Sequence, residues 1–221
     1  MELKYPKISS GIKLIYVSWW CTLLGVVASL VEGFAAIFAG GGFVILVELA
    51  AGVLELLVYG LQVAGLYKAG KDEERYKKLF YMLVTELLIA ATVIVAILLQ
   101  SYMLIALIGI IGGLTCMVLE SLRLCLFVKY TEELVQENGD AGVDGYYKTI
   151  RNCFFVAYGG ILIGSFITAM EVLTWLGVLL IVVSMLSVIA MFIFYGIFLR
   201  NTNRFFKTLR VTEVENIYDV E

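Results

Sequence analysis

Histidine is absent from all 221 residues of this chain, and proline occurs once, as Pro6. Without an imidazole there is no ready proton shuttle, no general base poised near neutral pH and no nitrogen ligand for a metal. Aspartate is missing from every long apolar run, which excludes an intramembrane aspartyl pair, and no GxSxG elbow, HExxH helix or glycine-rich phosphate loop occurs. The residues therefore point away from an enzyme, and no cofactor or metal is expected. Four cysteines, Cys21, Cys116, Cys125 and Cys153, show no CxxC spacing. They read as small buried apolar residues rather than as a disulfide framework.

The shortage of proline bears on transport. Secondary transporters often build their sites from helices broken by Gly or Pro, whereas this chain predicts mostly continuous helices, with Gly109 to Gly113 the best place for an irregularity. Lys and Arg are missing from three very short connections, around residues 40–42, 100–102 and 171–175. Such turns leave no room for an outer recognition domain.

What the chain has in abundance is apolar surface: 62% of its residues are hydrophobic and the mean hydropathy is +0.96. A soluble domain of this size has no core large enough for that much apolar area. The residues arrive in runs long enough to cross a hydrocarbon layer, which takes roughly 20 helical residues. Six spans are predicted, at about Ile12–Phe38, Phe43–Leu66, Leu79–Leu99, Met103–Val128, Cys153–Met170 and Val172–Leu199. The first run is too long for a signal-peptide core and lacks a small-residue cleavage pattern, so it reads as a retained helix.

All 16 Lys and Arg residues fall on one side of this arrangement, in the termini, the two longer connections and, for Arg123, the inner end of span four. Because basic residues are retained on the cytoplasmic side, both termini are expected inside, in a cell membrane. The prediction is an all-α integral membrane protein forming one transmembrane domain: a six-helix bundle of three hairpins, with a cytoplasmic tail over 200–221. Val53-Leu54-Glu55-Leu56-Leu57 resembles Val118-Leu119-Glu120-Ser121-Leu122, which fits a parallel duplication of hairpins as well as chance similarity among Val- and Leu-rich spans. Gly109 with Gly113 and Gly160 with Gly164 form GxxxG spacings, expected to serve packing within the bundle.

The connection from Lys129 to Arg151 is acidic and glycine-rich, with Glu132, Glu133, Glu137, Asp140 and Asp144. It departs from a calcium loop where that loop needs its glycine and its terminal bidentate glutamate, so a solvated loop is expected, its first part, like Tyr67 to Lys78, continuing the helix beyond the membrane. Arg200, Arg204, Lys207 and Arg210 read as a juxtamembrane segment attracted to anionic headgroups. The net charge of -3 mixes acidic and basic groups in the same segments, and no nucleic-acid partner follows from it.

The candidate functional residues are carboxylates within spans. An ionised side chain at the bilayer centre costs about 2.5–3.5 kcal/mol, so each must be paired, protonated or turned to protein or water. Counting from the basic ends, Glu86, Glu120 and Arg123 lie at similar depth and form a predicted inner charge cluster. Glu32, Glu48 and Glu55 are candidates for an ion or substrate pathway. Glu48 and Glu55 stand two turns apart on one face, with no cation at the depth of Glu55; a hydroxyl such as Ser29, Ser184 or Ser187 is its alternative partner. Two functions fit: a small transporter or channel-like bundle using these glutamates, or a non-catalytic membrane subunit or scaffold bound to a membrane or cytoplasmic partner or to a second copy. Convergence of the carboxylates on one water-accessible cavity would favour the first.

Overall fold

In the computed structural model the described residues, 4–38, 41–98, 102–139, 142–170 and 174–209, are helical apart from short turns. Side chains are described throughout these segments except at 32–38, 41–44, 46, 96–98, 102–110 and 169. The helices are α1 (Pro6–Phe38), α2 (Gly41–Ala69), α3 (Glu74–Leu98), α4 (Tyr102–Glu137), α5 (Tyr146–Ala169) and α6 (Thr174–Thr208). Even α5, with 24 residues, is about 36 Å long at 1.5 Å per residue, enough for a hydrocarbon core of about 30 Å. All six are long and apolar enough to cross a membrane. Their surfaces agree with that solvent: Leu56 is 75% exposed, Trp175 68% and Phe155 66%, an arrangement that water would penalise and lipid does not.

Helices run past the apolar boundary, α4 from Val128 to Glu137 and α6 from Leu199 to Thr208, and two expectations need correction. Charged side chains on one face leave the backbone ladder intact. The segment expected as a tail from Arg200 therefore begins as helix, with Thr202, Asn203 and Phe206 buried, and Arg200, Arg204 and Lys207 exposed on the opposite face. Arg210 lies outside the described residues. Finally, α4 is one continuous helix through Gly109–Gly113.

The chain divides into two compact units, residues 1–81 with 203–221, and residues 82–202. In the first, α1 and α2 cross at glycines. A Cβ on Gly65 would lie 2.8 Å from the Gly11 carbonyl oxygen and 2.7 Å from Ile15 Cγ1, so the backbones meet where no side chain intervenes. Ile8, Ile12, Leu66, Ala69, Tyr76 and Leu79 are sealed around this crossing. Pro6 opens α1, where its missing N–H removes no helical bond. The next two amides, of Lys7 and Ile8, donate to Asp72 Oδ2 at 2.8 and 3.1 Å. Asp72, in the turn between α2 and α3, thus caps a helix 65 residues away, a contact worth about 1 kcal/mol and helped by the helix dipole. At the far end of the chain the Lys4 amide donates to the Leu209 carbonyl at 3.3 Å, and Tyr5 meets Phe206 edge-on.

The second unit repeats the device. Glu132 of α4 is buried, and its two carboxylate oxygens accept from the amides of Gly145 at 3.0 Å and Tyr147 at 2.7 Å, capping α5. Gly145 has φ 84°, the left-handed conformation that a glycine adopts without steric cost. Glu132 is therefore a structural group and not part of a solvated loop, and Asp144 accepts from Gln136 Nε2 at 2.9 Å. Val143 folds back into the core with Leu134, Val135 and Ile150. α5 and α6 touch through Gly160 against Ser184 and Gly164 against Gly177, while Gly112 of α4 faces Ile89 and Val93 of α3.

Candidate functional site

The clearest intramembrane chemistry is an ion pair. Arg123 Nε lies 3.0 and 3.3 Å from the two oxygens of Glu86, and its Nη2 donates to Oε2 at 3.1 Å. The side chains are only 11% and 7% exposed, so the pair is shielded from solvent. Its fork-like geometry is the arrangement a guanidinium and a carboxylate favour. Glu86 is midway along α3, and Arg123 is on α4 facing it. The Cys116 thiol, two turns earlier on α4, sits 3.7 Å from the Glu86 carbonyl oxygen. Glu120, the third member of the predicted cluster, is exposed on α4.

The pathway candidates are placed differently. Glu48 and Glu55 both lie exposed on α2, and among the described residues neither holds a hydrogen bond or an ion pair. Gly52 between them is open, since a Cβ there would meet nothing within 4 Å. The side chain of Glu32 lies outside the described residues. Two of the three hydroxyls considered for Glu55 are used on backbone: Ser184 Oγ donates to the Leu180 carbonyl at 2.7 Å and approaches that of Val156 at 3.3 Å, and Ser187 Oγ donates to Val183 at 3.0 Å.

Two cavities stand out among the described residues, and sequence reasoning found neither. One of about 300 Å³ lies between α4 and α5, with Ser121, Cys125, Phe154, Tyr158 and, at its basic end, Tyr147 and Arg151 on its wall. The Arg151 guanidinium stands 5.4 Å from the Tyr147 ring centre, a cation–π contact at the mouth. The Ser121 hydroxyl donates to its own helix at Met117, leaving the wall largely apolar. That lining can hold a hydrocarbon chain, but it offers no nucleophile beside a base. The other cavity, of about 420 Å³, is formed where α1 begins, α2 ends and α3 begins, and it carries Lys7, Lys71 and Lys77. The available signal was the set of lysines at three helix ends, but lysines there also satisfy the inside-positive pattern, so nothing marked them out. Among the described residues no group of three or more acidic or cysteine side chains is placed to hold a metal ion. No protein-family model, no curated protein and no solved structure matches this chain.

Proposed function

We propose that this multi-pass membrane protein is a non-catalytic subunit or scaffold whose α2 face, bearing Glu48, Gly52 and Glu55, docks on a transmembrane helix of a partner chain. The observation that carries this reading is the pair of exposed carboxyls, two turns apart on one face, with no partner among the described residues. Each would cost about 2.5–3.5 kcal/mol if ionised in hydrocarbon, and a partner donor at matching depth removes that cost. Gly52 lets a second backbone approach between them, as small residues do at helix contacts in membranes. The transport reading needs these groups on a cavity wall, and neither cavity described above is lined by Glu48, Glu55, Glu86 or Glu120.

Purification of the tagged protein from its own membrane in mild detergent should yield a complex with a stoichiometric second chain. Replacing both residues, Glu48→Leu with Glu55→Leu, should release that chain while α1–α6 stay folded by circular dichroism. A monomer or homo-oligomer alone, with ion flux that Glu55→Gln abolishes, would replace this proposal with the transport reading.

The charge asymmetry supports an orientation with both termini in the cytoplasm of a cell membrane. A membrane-impermeant thiol reagent should then label a cysteine added before Met1 only after the cells are opened. Labelling of intact cells would reverse the orientation.

A further inference from the structure

We propose that the cavity at the joint of α1, α2 and α3 is a binding site for an anionic phospholipid, with the phosphate held by Lys7, Lys71 and Lys77 and the glycerol and upper acyl region against Tyr67, Phe80 and Tyr81.

The positive charge is only partly compensated at this spot. Asp72 and Glu73 of the adjoining turn and Glu74, the first residue of α3, are each engaged. Asp72 accepts from the amides of Lys7 and Ile8, so its charge answers the end of α1. Glu73 pairs with Arg75 at 3.3 Å, and Glu74 lies 3.7 Å from Lys77. Among the described residues this leaves the Lys7 and Lys71 ammonium groups with no ion pair, and Lys77 with a long, exposed one to Glu74. The Lys71 ammonium rests 4.5 Å from the Tyr67 ring centre, which keeps it at the cavity while leaving its N–H donors available.

Position selects a lipid among anions. Lys7 is in the first turn of α1, Lys71 follows the last turn of α2, and Lys77 is in the first turn of α3, so all three sit where membrane-type helices end. Tyr67 and Tyr81 are 53% and 65% exposed on the same wall, the amphipathic aromatic pair expected at headgroup level. Basic pockets between transmembrane helices are suited to headgroups carrying more than one charge. Gly70 adds depth, because a Cβ there would sit 3.0 Å from Lys77 Cγ and press that side chain across the opening.

Native mass spectrometry of the full-length protein in detergent, titrated separately with cardiolipin, phosphatidylglycerol and phosphatidylcholine, tests this. Cardiolipin should bind most tightly and phosphatidylcholine least. Lys7→Gln and Lys71→Gln should each weaken cardiolipin binding about fivefold, and the triple variant with Lys77→Gln about a hundredfold, at the strength expected per cation near a membrane surface. These side chains are exposed, so the variants should keep the wild-type unfolding midpoint. Lys13→Gln with Lys129→Gln and Lys148→Gln removes as many charges away from the cavity wall and should change binding less than twofold. Wild-type affinity in the cavity triple variant overturns the site, as does equal loss in the control triple variant, which would make the effect one of overall charge. Displacement of cardiolipin by equimolar inorganic phosphate overturns the lipid assignment.

Discussion

Arg123→Met should destabilise the protein by about 3–5 kcal/mol, the range seen when one partner of a buried ion pair is removed. The change keeps length and apolar volume but strands Glu86, whose side chain is 7% exposed and whose oxygens both face the missing guanidinium. Glu86→Gln should cost less, because the amide oxygen still accepts from Arg123 even though the guanidinium loses its counter-charge. The decisive variant is the double replacement Glu86→Leu with Arg123→Met. It leaves neither charge of the pair to desolvate, and its stability should return to within about 1 kcal/mol of wild type. Detergent-titrated unfolding read by circular dichroism gives all three midpoints. Equal, small losses in both single variants would mean that water reaches the pair. If the double variant proves stable but no longer holds the copurifying chain, the pair also has a role in partner binding beyond joining α3 to α4.

How far the sequence reaches is visible in that pair. Counting 1.5 Å per residue from the basic ends puts Glu86 and Arg123 level, and the structure joins them. The six apolar runs are legible for the same reason, since hydrocarbon thickness imposes a length that water-soluble folds do not need. The helix ends are less legible. Glu133, Gln136 and Glu137 fall outside the apolar run, and hydropathy does not say where the helix carrying them stops, because helicity depends on backbone bonding rather than on lipid contact. The roles of Asp72 and Glu132 could not be read, because their partners are backbone amides 65 and 13 to 15 residues away. Composition carries no trace of which amide a carboxylate will meet. Of the glycine spacings, Gly160 and Gly164 do pack against α6, but on α4 the contact falls on Gly112, with Gly113 open, since facing is set by helix rotation and not by spacing alone.

A close backbone approach between α1 and α2 falls outside the GxxxG spacings, at Gly65 of a Gly65-xxx-Ala69 pair of small residues, and it yields a prediction in which the sign of the effect is diagnostic. Gly11 and Gly65 belong to no GxxxG pair, yet their carbonyl oxygens lie 2.8 and 2.5 Å from where the other residue's Cβ would stand. Those atoms are backbone, so they cannot swing aside as the end of a side chain can. Gly65→Ala should therefore cost about 1–3 kcal/mol by forcing α1 and α2 apart, despite the better helix propensity of alanine. Gly60→Ala is the matched control on the same helix, because a Cβ there meets nothing within 4 Å. With only propensity acting, it should be neutral or stabilising by up to about 1 kcal/mol. A thermal unfolding series in one detergent reads both changes on one scale. If Gly65→Ala also stabilises, the α1–α2 crossing is looser than the structure has it. A loss at Gly60 as large as at Gly65 would place an unrecognised contact on the open side of α2. Opposite signs five residues apart on one helix leave backbone contact as the cause, because propensity would move both in the same direction.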